Sequence, residues 1–183
     1  MPRVLGDRIM LREYRREDLP FIRAWVNDPD ITNTLSDVFA YPHSEERTQS
    51  FLDSMLKGGG DLKSFVIADR RTEAYIGQID LIRIDWKSRW SSIAIVIGDK
   101  KQHGKGYGSE ALKLLQRFAF EELNLNRLQL EVYDYNVAGY RCYLKSGFCE
   151  EGRLRQRHYH QGRYCDLIEM GILRSEYEEQ AGR

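Results

Sequence analysis

Residues 91–123 constrain this chain more than any other stretch. SSIAIVIG (91–98) is a run of apolar and β-branched residues closed by a glycine. KKQHGKGYG (100–108) carries glycines at 104, 106 and 108, and SEALKLLQRFAFEEL (109–123) repeats its apolar residues at helical spacing. A strand, a glycine-rich turn and a helix therefore follow one another directly. The first N–H groups of a helix have no intrahelical partner, and its N-terminus carries partial positive charge. Glycines let the backbone approach an oxyanion without side chains in the way. The amides around Gly104, Gly106, Tyr107, Gly108 and Ser109 would thus hold a phosphate, the other reading of the loop taken alone being a plain glycine-rich connector.

The rest of the chain limits which phosphate. RIMLREY (8–14) alternates like a strand, and residues 16–28 and 43–57 read as helices separated by Pro29 and Pro42. GGGD (58–61) follows as a flexible connector; it lacks the Gly-Lys-Ser/Thr of a P-loop. Strands at 63–69, 75–85 and 90–98 are spaced as an antiparallel meander. After the glycine loop and a helix to about residue 122 come a strand (126–132), a helix (136–147) and a hairpin, 148–160 with 163–173, turning at Gln161-Gly162. The tail SEYEEQAGR is polar and is expected to fray. This is one α+β domain spanning residues 1–183. A dinucleotide fingerprint needs G-x-G-x-x-G after the first strand of repeated βαβ units. Here Ser109 stands in the third glycine's place and the loop follows a meander, although Glu131 sits about where a ribose-binding acid would.

Basic and acidic residues balance at 28 each, which argues against nucleic acid as a partner. The apolar runs fall short of the roughly 18–20 residues that span a bilayer, and the N-terminus lacks a secretory h-region, so no membrane and a cytoplasmic location are expected. Cys142, Cys149 and Cys165 read as free thiols, with no metal site implied.

A second motif identifies the phosphate's owner. The glycine loop resembles the Q/R-x-x-G-x-G/A pyrophosphate loop of the GNAT N-acetyltransferases, with His103 in place of the usual Gln or Arg. The family's N-x-x-A-x-x-x-Y-x-K-x-G-F pattern is matched by Asn136, Gly139 in the alanine place, Tyr143, Lys145, Gly147 and Phe148. The order of elements matches along nearly the whole chain. The C-terminal run from Gly152 to Met170 looks like the branch holding ribosomal-protein N-terminal acetyltransferases and bacterial spermidine N-acetyltransferases.

The resemblance implies a mixed, mostly antiparallel central sheet with flanking helices, its strands splayed at an acetyl-CoA cleft. Main-chain groups near Ile95, Val96 and Ile97 would pair with the pantetheine arm like an added strand. Amides of residues 103–109 would hold the pyrophosphate, with Lys105 either adding charge or standing solvated in the loop, and Asn136 would bond the arm or cap its own helix. The reaction is attack of a neutral amine on the thioester of acetyl-CoA. A strand N–H near Ile95 would stabilise the oxyanion, and Tyr143 is the family-matched acid for the leaving thiolate. The acceptor is a primary amine, either a peptide N-terminus or a polyamine. An ammonium of pKa about 10.4 costs roughly 4–5 kcal/mol to deprotonate at pH 7, an α-amine of about 7.7–8.0 only about 1–1.4.

The base is not settled by the sequence. Ser92 stands where many relatives carry a Glu, and SSIAIVI has no carboxylate. Either a relay reaches Asp80, Glu131 or a histidine, or the substrate needs little help, which would favour an α-amine. A module of the same fold that binds acyl-CoA without chemistry is the alternative. Asp28, Asp30, Asp37 and Glu45 are acids that would either attract a polycation or stand solvated. His158 and His160 share a strand face and would make half a metal site, part of the substrate mouth or, most simply, an ordinary surface pair. Arg153, Arg155 and Arg157 likewise share a face and, with Arg163, would bind an acidic partner unless Glu150, Glu151 and Asp166 neutralise them. The exposed hairpin strand would serve a homodimer.

Overall fold

The computed structural model describes residues 3–58 and 62–182. Its frame is one eight-stranded sheet in the order β1-β2-β3-β4-β5-β6-β8-β7. The strands are β1 (Val4–Leu5), β2 (Ile9–Arg12), β3 (Lys63–Asp69), β4 (Tyr75–Asp85), β5 (Trp90–Ile97), β6 (Arg127–Tyr133), β7 (Cys149–His160) and β8 (Arg163–Leu173). The meander expected from strand spacing is present as β3-β4-β5, every neighbour antiparallel. β5 and β6 are the parallel pair, and they touch only at Trp90↔Arg127, Ser91↔Leu128 and Ser92↔Gln129. From Ile93 onward β5 has no partner strand on that side, so the sheet opens at its middle.

Helices cover both faces. α1 (Leu19–Val26) and α3 (Glu45–Lys57) lie on one, flanking the short α2 (Pro29–Thr32). α1 has Pro20 in its first turn and buries Ile22, Trp25 and Val26 on one side, at the 3–4 residue spacing of a helix face. The Trp25 indole N–H donates to the Tyr75 hydroxyl at 3.0 Å. α3 starts at Ser44, whose Oγ accepts the Arg47 amide at 3.1 Å, and ends at Gly58 in the left-handed region, φ +65°. Residues 59–61 of the expected glycine connector lie outside the described residues. On the other face α4 (Tyr107–Arg117), continued by a π turn over Phe118–Glu122, buries Ala111, Leu112, Leu114 and Leu115 against the sheet. α5 (Val137–Lys145) lies beside it.

Three features depart from the sequence reading. β1 adds a strand by pairing Val4 with Leu11. The tail does not fray: Arg174–Ala181 form α6. The Glu176 carboxylate accepts the Leu173 amide at 2.8 Å, Arg174 pairs with Glu178 one turn on, and the Tyr177 ring packs 5.1 Å from Phe120. Finally, β7 does not alternate through its arginines. Its register against β8 slips between Leu154 and His158, with Gln156 at φ +53°, so Arg153, Arg155 and Arg157 do not form one continuous stripe. Arg153 is held by Glu150 and Asp166.

A buried ion pair anchors the segment before α1. Arg12 and Asp18 are 2% and 1% exposed, and two N–H···O bonds join them at 2.9 and 2.8 Å. The Arg15 amide donates to the same carboxylate at 2.8 Å.

Candidate active site

The opening of the sheet follows from strand register. The Gly98 amide donates to the Ile76 carbonyl at 2.9 Å. Main-chain groups alternate sides along a strand, so the peptide groups of Val96 and Ala94 face β4, while those of Ile95 and Ile97 face the gap. Val96 therefore does not offer its main chain to the gap, and its side chain packs with Trp25 and Tyr75. Ile97 is also half committed. The His103 ring donates Nε2–H to its carbonyl at 2.9 Å, which ties the glycine loop to the end of β5.

Gly104 and Gly106 adopt φ +73° and +83°, a region costly for residues with a Cβ, and this turns the chain into α4. No described residue accepts from the amides of Lys105 to Ser109. Lys105 reaches back to Gln102 at 3.1 Å, and Ser109 Oγ lies 3.4 Å from the Cys142 sulfur. Arg8, which no motif singles out, braces this loop. It donates to the Lys105 carbonyl at 2.8 Å and to Glu110 at 2.9 Å, and its guanidinium lies 4.9 Å from the centre of the Tyr107 ring. Asn136 caps α5, its Oδ1 accepting the Gly139 amide at 3.0 Å. A Cβ at residue 139 would fall 2.6 Å from the Asn136 side-chain nitrogen, so an alanine here would require that side chain to shift.

A cavity of about 440 Å³ occupies the opening, on the α1 side of the sheet. Tyr143 lines it from α5, between the strands, together with Asp80 and Gln78 of β4, Ser92 of β5, and Glu131 and Glu169 from β6 and β8. The Tyr143 hydroxyl makes no hydrogen bond to a described residue and is not sealed off. Burial pushes its pKa well above the ordinary phenol value, so the proton stays on oxygen. Glu131 and Glu169 stand directly opposite each other across β6 and β8, a repulsive placement, and neither makes an ion pair with a described residue. Arg127 beside them is taken by Glu151. Ser92 accepts from Gln129 at 3.4 Å and so ties the last rung before the gap.

The histidines and acids near the mouth are disposed differently from the sequence reading. His158 stacks on Tyr133 at 4.0 Å and His160 on Tyr135 at 4.3 Å, forming an aromatic cluster that no third metal ligand joins among the described residues. Asp28 and Asp30 both hold Lys100, at 2.9 and 2.8 Å, which pins α2 to the end of β5 and removes them as free acids. Asp37 stays exposed, 3.7 Å from the His158 ring.

Among the described residues, the site is thus a parallel pair that parts after three residues, with amides lacking an acceptor at one end and the Tyr143 phenol without a hydrogen-bond partner between the strands. The family model described as the acetyltransferase (GNAT) domain matches residues 8–149. The chain belongs to the GNAT acetyltransferases. It is 29% identical over 174 residues to a spermidine N(1)-acetyltransferase of Vibrio cholerae, covering 94% of this chain and 97% of that one. A putative ribosomal N-acetyltransferase of Bacillus subtilis is 34% identical over 102 residues, 56% of this chain and 55% of that one. Among solved structures, spermidine N-acetyltransferase from Vibrio cholerae in complex with CoA and spermine matches with a TM-score of 0.82 and 27% identity, covering 94% of this chain and 99% of that chain. No helix among the described residues is long and apolar enough to cross a membrane.

Proposed function

We propose that this enzyme transfers the acetyl group of acetyl-CoA to a primary amine by direct attack, and that its acceptor is a polyamine-like cation. The observation that carries the reading is the free phenol of Tyr143 in the gap between β5 and β6. The pyrophosphate would rest on the amides of residues 103–109, and the pantetheine arm would take the gap-facing groups of Ile95 and the Ile97 amide. The amine nitrogen attacks the thioester carbon. The Ile95 N–H stabilises the oxyanion, and Tyr143 gives its proton to the departing sulfur. Glu131 and Glu169 put uncompensated negative charge on the acceptor side, which favours a cation with more than one positive centre. The spermidine acetyltransferases among the relatives support the same choice over a peptide N-terminus.

The test follows free thiol release from acetyl-CoA with spermidine, spermine and short peptides bearing free N-termini, beside Tyr143→Phe. Polyamine-dependent release that drops about 10²-fold or more in the variant, with acetyl-CoA binding kept, is the expected result. Tight acetyl-CoA binding without release from any amine would instead leave a non-catalytic binding module.

A further inference from the structure

Strand β5 carries no carboxylate, so the amine proton needs a destination elsewhere in the cleft. Asp80 lies on the neighbouring strand, paired in register with Ala94, two residues past Ser92 and beside the opened part of the sheet. Its side chain lines the same cavity as Tyr143. Oδ1 accepts a short hydrogen bond from Ser64, its cross-strand neighbour on β3. Oδ2 has no partner among the described residues and is still open to the cavity. The chain of hydroxyls continues: Ser64 Oγ lies 2.9 Å from the Tyr14 hydroxyl. Ser64 and Tyr14 both line a second cavity of about 600 Å³, beside the end of α3.

We propose that Asp80 is the general base of this enzyme, and that the hydroxyls of Ser64 and Tyr14 form the path by which its proton leaves for the second cavity. The inference rests on the N-acetyltransferase reading above. The spermidine ammonium first loses a proton to water, and as the neutral amine nitrogen bonds to the thioester carbon its N–H proton passes to Asp80 Oδ2. The C–S bond then breaks with its electron pair on sulfur, which takes the Tyr143 proton. The phenolate recovers a proton from solvent. The neutral Asp80 carboxyl turns its O–H onto Ser64, the Ser64 bond reverses so that Ser64 donates to Tyr14, and the proton leaves by that path, so the cycle closes.

The surroundings suit the role. Removal from water raises the Asp80 pKa to about 7, with the Ser64 bond opposing the rise. The groups that face it are Ser64, Tyr14, Tyr75, Gln78 and Ser92, with Glu131, Glu169 and the Arg127–Glu151 pair across the cavity and the Arg12–Asp18 pair behind. Among the described residues no cation pairs with it, so the Ser64 bond alone opposes its protonation.

The experiment measures spermidine-dependent thiol release between pH 5.5 and 9 for the wild type, Asp80→Asn, Asp80→Glu and Ser64→Ala, with acetyl-CoA affinity by calorimetry. The wild-type kcat/KM should rise through an apparent pKa near 7. Because the spermidine ammonium titrates near about 10.4, free amine rises about tenfold per pH unit across this range, so each rate is divided by the free-amine fraction before the limb is read. Asp80→Asn should lose the limb and about 10²–10⁴ in kcat/KM at pH 8, with acetyl-CoA affinity unchanged. Asp80→Glu should restore part of the rate, and Ser64→Ala should move the limb upward. A limb that survives in Asp80→Asn, or a loss under threefold, overturns the proposal. Infrared titration without acceptor should show a protonated carboxyl, absent in Asp80→Asn, that ionises near pH 7. A carboxylate already ionised at pH 5 overturns the proposal whatever the acceptor. Failure to bind acetyl-CoA would instead overturn the functional reading.

Discussion

A carboxyl kept ready as a base destabilises the protein that holds it, and Asp80→Asn measures that cost. The Asp80 pKa is about 7 in the folded chain against an ordinary value of 3.8. The folded-state value is raised, so folding favours the neutral acid. Below pH 3.8 both states are protonated and there is no penalty. The penalty grows as pH rises from about 4 to about 7 and is constant above, where both states are ionised. Each unit is worth about 1.36 kcal/mol, so about three units give about 4 kcal/mol, or about 3–4 with the open side of the cavity allowed for. Asparagine is nearly the same size, keeps an oxygen for the Ser64 hydroxyl and cannot ionise. Asp80→Asn should therefore be more stable than the wild type by about 3–4 kcal/mol at pH 8 and by about 1 kcal/mol at pH 4.5. Urea denaturation at the two pH values reads this directly. With an m-value of about 1–3 kcal/mol/M, the pH 8 midpoint rises by roughly 1–4 M while m stays constant. A variant less stable than the wild type at pH 8, or a difference equal at both pH values, would refute the reasoning. The first would mean that the site stabilises the carboxylate, the second that its pKa is the same folded and unfolded.

Two further perturbations test the parts that position the site. Asp18→Ala leaves the Arg12 guanidinium buried without its counter-ion and strips the Arg15 amide of its acceptor, so it should cost about 3–5 kcal/mol in denaturant unfolding, whereas a surface pair such as Arg174–Glu178 should cost under about 1. Gly106→Ala puts a Cβ at φ +83° and 3.3 Å from Arg8 Nη2; it should strain the loop by about 1–2 kcal/mol and raise the KM for acetyl-CoA about tenfold while kcat with saturating donor changes little.

The sequence showed most where function rests on local spacing. Gly104, Gly106 and the helix after them are neighbours in the chain, so their geometry is written in consecutive residues, and the same holds for Asn136 capping α5 through Gly139. The strand order β3-β4-β5 was legible for the same reason, since short turns join its members. The features that were missed depend on contacts between distant segments. Arg8 braces the glycine loop from about 100 residues away, and nothing in RIMLREY marks it as more than a strand residue. α6 looked too polar to hold, because its attachment is a few specific contacts, Tyr177 on Phe120 and Glu176 on the Leu173 amide, rather than an apolar face. Asp28 and Asp30 read as free acids until the fold brought Lys100 against them.

The base shows the same division most clearly. Judged by position along the chain, the strand before the glycine loop is where a carboxylate would be sought, and Ser92 is there instead. Judged by position across the sheet, the residue beside the opening is Asp80, because antiparallel register sets it against Ala94. Alternation then points Gln78 and Asp80 to the acceptor side, since Ile79 and Leu81 fill the core beneath α4. Whether an aspartate acts as a base at neutral pH depends on how much water it keeps and whether a cation lies near, and neither is visible in YIGQIDLIRID. A neutral serine at 92 also has its own task, holding the last β5–β6 rung through Gln129. With that rung closed and the next one open, the carboxylate one strand over is the group that an incoming amine meets.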